Sequence, residues 1–171
     1  MEAFLNFILR WPIVESYFSA FSWAWPLNEI VHFAGIILLV GIVGVYDLRL
    51  LGVAREIPVA ALSRLLPWAV FGFVITTITG LMFTTGIYAN IRIEPGTVLV
   101  NDGYLQLKLV FYFLAGINLF AFYRTGVARA VDNLGPGDDA PPIAKAFAGA
   151  SLFCWIAVMY WGRLLVWGQL S

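Results

Sequence analysis

Residues 25–52 read WPLNEIVHFAGIILLVGIVGVYDLRLLG, and this stretch decides the fold class. Its centre, residues 33–46, is apolar throughout apart from glycines. A helix rises about 1.5 Å per residue, so roughly 20 such residues cross the hydrocarbon core of a bilayer, which is about 30 Å thick. The polar residues crowd the two ends of the stretch. The sequence therefore predicts a transmembrane helix over about 26–46.

Three later stretches have the same character, at about 66–88, 104–123 and 143–167. The last two are bracketed by aromatic residues, as is typical of side chains at the membrane interface. Together the four spans predict an all-α membrane protein, with a four-helix transmembrane bundle over residues 26–171.

The composition excludes several classes of protein. Of the 171 residues 61% are hydrophobic and 12% are charged, against about a quarter charged in soluble domains. Ten basic and ten acidic residues give a net charge of zero, so the broad positive field that binds nucleic acid is missing. The single cysteine, Cys154, excludes a disulfide or thiolate metal cluster within one chain.

Residues 1–25 form a separate unit before the first span. They carry apolar residues at helical spacing, with most polar residues on other faces. A basic segment is missing at the start, and Glu2 stands there instead, which argues against a signal peptide. We interpret the unit as an amphipathic helix, kinked near Pro12, that lies in the membrane interface. The alternative is that it packs over the bundle as a lid.

The loops predict the orientation, because Lys and Arg accumulate on the cytoplasmic side of short loops. Six basic residues flank the first and third connections between spans, whereas the second connection has only Arg92. Both termini are therefore predicted to face the outside. The segment 132–142, DNLGPGDDAPP, is predicted to be a linker without regular structure.

A few ionisable residues fall at or inside the predicted spans. A charge at the bilayer centre costs about 2.5 to 3.5 kcal/mol on insertion scales, so such residues usually pair or line a site. His32, Lys108 and Arg163 each lie within about 10 Å of the outer end of their helix. Glu29 shares a helix face with His32, and Met82 lies at a similar depth on the second span. These five residues predict a binding site near the outer end.

Each of these residues also has a structural interpretation. His32 could simply pair with Glu29, and the long side chains of Lys108 and Arg163 could reach the lipid headgroups. Asp47 and Arg49 are interpreted as an ion pair or helix-end feature at the inner boundary. Mid-span Asn118, which is polar, is predicted to hydrogen-bond between helices.

Five segments resemble a group of uncharacterised bacterial four-helix membrane proteins over residues 25–168. They are residues 25–52, LSRLLPW at 62–68, Thr-Gly at 79–80, YLQLKL at 104–109 and WGRL at 161–164. More distantly, one early His and one later Lys resemble the HemJ-type protoporphyrinogen oxidases and the CopD-type copper-resistance domain. The HemJ resemblance implies that His32 binds haem and that Lys108 takes part in activity. The sequence around the His matches only loosely, so protoporphyrinogen oxidation is not implied.

The leading functional prediction is a haem-binding redox protein of the bacterial inner membrane, alone or within an electron-transfer complex. A b-type haem needs an axial imidazole, apolar and aromatic surroundings, and cations for its propionates. His32 is the predicted axial and metal ligand, and Lys108 and Arg163 are the predicted cations. The sixth position would fall to Met82, Lys108, another chain or none. With Lys108 as the candidate catalytic residue, the chain is a candidate membrane-bound oxidoreductase.

Two alternatives remain open. One is copper binding or transport, since His32 with Met82, Met159 and Cys154 supplies imidazole and soft sulfur ligands. The other is a non-enzymatic membrane subunit that binds quinone, lipid or a protein partner, as a homo-oligomer or within a larger complex.

Overall fold

The computed structural model describes residues 1–167, and within that range the chain is helical with no strand. The helices, in chain order, are α1 Glu2–Leu9, α2 Pro12–Ala20, α3 Ala24–Leu51, α4 Val59–Ser63, α5 Leu66–Ile91, α6 Pro95–Asn101, α7 Gly103–Arg124, α8 Val127–Val131 and α9 Pro142–Trp167.

Four of these helices, α3, α5, α7 and α9, are long and apolar enough to cross a membrane. They coincide with the four predicted spans and extend them by up to five residues at an end. The prediction of an all-α four-helix membrane protein is therefore confirmed. The short helices α4, α6 and α8 lie in the connections and were not predicted.

The bundle consists of two helix pairs. α5 packs mainly against α3 and α7 mainly against α9, while contact between α3 and α9 joins the pairs. We call the end where α3 begins the His32 end and the end where α3 finishes the Arg49 end. A cleft separates α5 from α7, and a side-chain contact bridges it: Tyr112 stacks on Phe73, with ring centroids 5.2 Å apart.

The α3–α5 pair is held at a close crossing of two glycines. A β-carbon built on Gly72 would lie 2.7 Å from the Gly35 carbonyl oxygen, and one built on Gly35 would lie 3.0 Å from the Gly72 carbonyl oxygen. Only residues without a side chain allow two helix backbones to approach so closely. The crossing therefore fixes the spacing of the helices on which the polar residues of the His32 end lie.

Polar residues inside the spans find partners on their own or neighbouring helices. The hydroxyls of Thr77 and Thr79 donate to the carbonyls of Phe73 and Ile75, each at 2.7 Å, as expected for threonine in a membrane helix. Asn118 donates to the Phe147 carbonyl of α9 at 3.1 Å. The prediction that Asn118 links two helices is confirmed.

Arg49 is completely buried at the Arg49 end, with 0% of its surface exposed. Its guanidinium donates to three backbone carbonyls, those of Ile57, Gly135 and Asp138. The first belongs to the α3–α4 connection and the other two to the linker between α8 and α9. Of the two predicted alternatives, an ion pair with Asp47 or a helix-end feature, the structure shows the second, because carbonyl dipoles rather than a carboxylate surround the charge.

The linker lacks regular structure, as predicted, but it is held in place. The Gly137 amide donates to the Arg55 carbonyl at 2.9 Å. Asp139 bridges Lys145 and Arg55, at 2.8 and 3.0 Å. The hydrogen bond from Lys145, aided by the charge of Arg55, holds the pKa of the exposed Asp139 carboxyl below its ordinary value. The two connections at this end thus form one hydrogen-bonded unit.

The N-terminal unit consists of two helices with a break at residues 10 and 11, just before Pro12. α1 packs against α6 and α2 against α5. The Asn6 side chain accepts from the Gly96 amide at 2.6 Å, and Arg10 pairs with Glu94 at 2.9 Å. Phe4 and Phe7 stay exposed. The unit therefore covers part of the His32 end and keeps an apolar outer surface.

Replacing Gly72 by alanine is expected to destabilise the bundle by about 1–3 kcal/mol, since the new methyl group would overlap the α3 backbone. Gly41→Ala on α3 is the matched control, because a β-carbon there meets no atom within 4 Å. Thermal unfolding of the detergent-purified variants measures the difference. Equal midpoints for Gly72→Ala and the wild type would contradict the close crossing.

Arg49→Met is expected to release the linker, because three carbonyls lose a charged donor at a cost of about 3 kcal/mol. Cleavage by a protease specific for aspartate within residues 132–142 should accelerate strongly. Arg64→Met, which removes an exposed arginine near the same end, should leave the cleavage rate unchanged. Similar rates for both variants would refute the role given to Arg49.

Candidate functional site around His32

The chain has a single histidine, His32, and α3 buries it against α5. Only 7% of its surface is exposed. Its ring atom Nδ1 lies 2.7 Å from the Thr79 hydroxyl oxygen. The face that carries His32 is the face of the glycine crossing, since Gly35 follows three residues later. The close approach of the helices brings the imidazole within direct reach of α5.

The hydrogen bonds around Thr79 fix the tautomer of the neutral imidazole. The Thr79 hydroxyl has one proton and donates it to the Ile75 carbonyl at 2.7 Å. With its proton used in this way the hydroxyl accepts from His32, and we infer the tautomer in which Nδ1 carries the ring proton and Nε2 keeps its lone pair. A hydrogen-bonded Nδ1–H with a free Nε2 is the usual arrangement of a histidine that ligates a metal.

Aromatic rings surround the imidazole on the side of the N-terminal unit. Phe83 stands edge-on to His32 with centroids 5.5 Å apart, and Trp25 lies 4.9 Å from Phe83. Phe18 of α2 continues the series, 5.0 Å from Trp25. Asn28, one turn before His32, is buried and donates to the Thr79 carbonyl at 3.1 Å. The rings and α2 shield this part of α3 and α5 from water.

Two further features lie near the imidazole, a glycine beside the ring and a buried hydroxyl without a partner. Gly80 lies beside it, and a β-carbon there would stand 3.6 Å from His32 Cε1. The Thr76 hydroxyl is buried without a hydrogen-bond partner among the described residues, and it points at Gly35, where a β-carbon would overlap it. The surroundings of His32 therefore contain an unsatisfied hydroxyl and a position without a side chain.

Lys108 enters the same end of the bundle from α7. Its side chain runs along α9, where a β-carbon built on Gly162 would lie 3.4 Å from Lys108 Cε. Lys108 lies five residues into α7 and His32 eight residues into α3, both from the His32 end of the bundle. The structure thus brings together two of the predicted site residues, one from each helix pair.

The other predicted site residues lie around this centre. Glu29 and Met82 are half-buried on α3 and α5, and Arg163 is exposed on α9. The hydrogen-bond partner of His32 is Thr79 rather than Glu29. Asp47 is buried at the opposite end, where its carboxyl faces the Ser151 hydroxyl of α9.

Sequence reasoning missed Thr79, Asn28 and Phe83 as members of the site. One signal was present, since Asn28 and His32 are four residues apart, as are Thr79 and Phe83, and residues at that spacing share a helix face. Which face of α3 meets which face of α5 could not be derived from that spacing.

The tautomer can be measured directly, because one histidine gives one pair of imidazole nitrogen resonances. In the ¹⁵N-histidine-labelled protein at neutral pH we expect a protonated Nδ1 and an unprotonated Nε2. Thr79→Val should weaken this preference, and Thr79→Ser should preserve it, because serine keeps the hydroxyl. Protonation at Nε2 in the wild type would contradict the arrangement.

Comparisons with protein-family models, curated proteins and solved structures find no match to this chain. The function is therefore argued from the geometry of the site.

Proposed function

We propose that the protein is a membrane redox protein that binds a b-type haem through Nε2 of His32. The observation that carries this proposal is the hydrogen bond from His32 Nδ1 to Thr79, 2.7 Å long. It turns the free lone pair of the imidazole away from α5's hydroxyl and holds the ring in one orientation. Fixing a ligand in this way raises its basicity and its affinity for iron.

The residues present fit the chemistry of a haem on three counts. The imidazole is a common axial ligand, and its surroundings are apolar and aromatic. Gly80 leaves the space beside the ring without a side chain. Lys108 brings a positive charge near His32, which suits a propionate.

When bound, a haem supplies one-electron transfer. The chain's own residues orient the imidazole, exclude water and place a charge. Thr79 holds the ring proton at Nδ1, and the aromatic rings with α2 keep solvent away. Lys108 would bind a propionate or another anionic group, and Arg163, exposed on α9, would extend this positive region towards the surface. The sixth coordination position would be supplied by Met82, Lys108 or another chain, or would remain open.

The site favours haem over copper. A protein copper site combines several nitrogen or sulfur ligands around one ion. Within residues 1–167 no three His, Cys, Asp or Glu side chains come together as a metal site. Cys154 is buried in an apolar cluster with Trp155 and Val158. With Cys154 placed elsewhere, only methionine sulfur is left to accompany His32, which is a poor ligand set for copper, whereas one protein ligand can suffice for a haem.

The distribution of basic residues among the connections supports one orientation of the bundle in the membrane. The connections that carry six basic residues meet at the Arg49 end, and cytoplasmic loops are rich in Lys and Arg. The proposal therefore places the Arg49 end in the cytoplasm, and the His32 end and both termini at the outer face of a bacterial inner membrane. A haem at His32 would then exchange electrons with partners at the outer face, within an oligomer or larger complex.

The test is an absorbance spectrum of the protein purified in mild detergent from cells supplied with a haem precursor. We expect a Soret band whose intensity corresponds to about one haem per chain. The band should be lost in His32→Ala and reduced in Lys108→Gln. Thr77→Val, on the other side of α5, is the control and should keep the band. A wild type without a Soret band, or a band unaffected by His32→Ala, would overturn the proposal.

A further inference from the structure

A cavity of about 560 Å³ opens between α5 and α7 at the Arg49 end. It lies in the cleft between the two helix pairs, beyond the stack of Tyr112 on Phe73. Its volume falls within the range of small-molecule sites, about 300–1,000 Å³. Its lining residues are Tyr46, Ser63, Leu66, Pro67, Val70, Tyr123, Ala128 and Asp132.

The lining is divided between hydrogen-bonding groups and apolar groups. Three hydroxyls, from Tyr46, Ser63 and Tyr123, and the carboxylate of Asp132 provide the polar part. The side chains contributed by α5 are apolar. The lining contains neither Lys nor Arg. The complementary ligand therefore has an apolar body and, at one end, oxygen groups that accept hydrogen bonds from the hydroxyls and donate one to the carboxylate, as the hydroxyls of a quinol do.

Ser63 has an unsatisfied hydroxyl at this cavity. Its Oγ atom is buried and forms no hydrogen bond of good geometry with the described residues, although the Tyr46 hydroxyl is close to it. A buried hydroxyl without a full partner costs stability that a ligand oxygen would restore. Ser63 and Tyr46 thus place a buried, incompletely bonded pair of hydroxyls in the wall of the cavity.

The position of the cavity indicates access from the membrane. Val70 and Tyr123 line it and are exposed on the side of the bundle, at 58% and 54% of their surface. Tyr46 lies five residues before the end of α3, about 8 Å in from it at the helical rise. A molecule dissolved in the bilayer can therefore enter sideways at the depth where apolar tails meet polar groups.

We propose that this cavity binds the ring of an isoprenoid quinone or quinol. The ring oxygens would meet the hydroxyls of Ser63, Tyr46 and Tyr123, and the isoprenoid chain would lie along α5 towards the lipid. The cations that an anionic lipid headgroup would need lie instead in a neighbouring cavity of about 350 Å³, which is lined by Arg124 and Arg129. The quinone site does not depend on the proposed haem.

The experiment uses the full chain in phosphatidylcholine nanodiscs, titrated with ubiquinone carrying two isoprene units. Quenching of tryptophan fluorescence reports binding, and Trp68 stands beside the lining residue Pro67. We expect saturable quenching, with a Kd raised about fivefold in Ser63→Ala through the loss of one hydrogen bond. Val70→Phe should abolish saturation by filling the cavity. Arg129→Gln is the matched control and should bind like the wild type.

Thermal unfolding of each variant separates a binding defect from a folding defect. If Ser63→Ala does not fold, Tyr123→Phe, a change at an exposed residue, tests the same contact and should also raise the Kd. Unsaturable quenching in the wild type, or equal Kd values in all variants, would overturn the proposal. Retention of phosphatidylethanolamine in place of quinone, lost in Ser63→Ala, would overturn it as well and assign the cavity to a lipid.

Discussion

The close crossing of α3 and α5 at Gly35 and Gly72 is the constraint on which the His32 end depends. Side chains at that point would force the helices apart, and the hydrogen bonds from Asn28 and His32 to Thr79 would lengthen beyond reach. Both polar residues lie on the same face of α3 as Gly35, within about two turns of it. In a lipid environment, where apolar surface gives little drive for helix association, such short contacts determine which faces meet.

At the Arg49 end, a buried charge holds the structure together. Arg49 is enclosed by backbone carbonyls from two connections, so it replaces the regular structure that a linker rich in Gly and Pro cannot form. Carbonyl dipoles satisfy a guanidinium without burying a second charge, and the desolvation cost of a buried carboxylate is avoided. Because the linker leads directly into α9, Arg49 also fixes where that helix begins.

The sequence predicts the spans closely, because hydropathy over 20 residues dominates every local preference. It also predicts how far His32 and Lys108 lie from the ends of their helices. That distance depends only on the rise per residue and not on how the helices pack. It could not predict how each helix is rotated against the next. For that reason Thr79 was missed as the partner of His32. An ion pair between Asp47 and Arg49 was suggested because opposite charges are visible in the sequence. The backbone carbonyls that surround Arg49 come together only in the fold.

The stack of Tyr112 on Phe73 gives the two ends of the cleft different chemistry. The hydroxyls of Thr77 and Tyr112 share a hydrogen bond, which closes the cleft together with the stack. Beyond it on one side lie nitrogen groups, the imidazole and the lysine. On the other side lie hydroxyls and a carboxylate. A molecule as large as a ring cannot pass between the two regions while the stack is closed, so each region must be reached independently of the other.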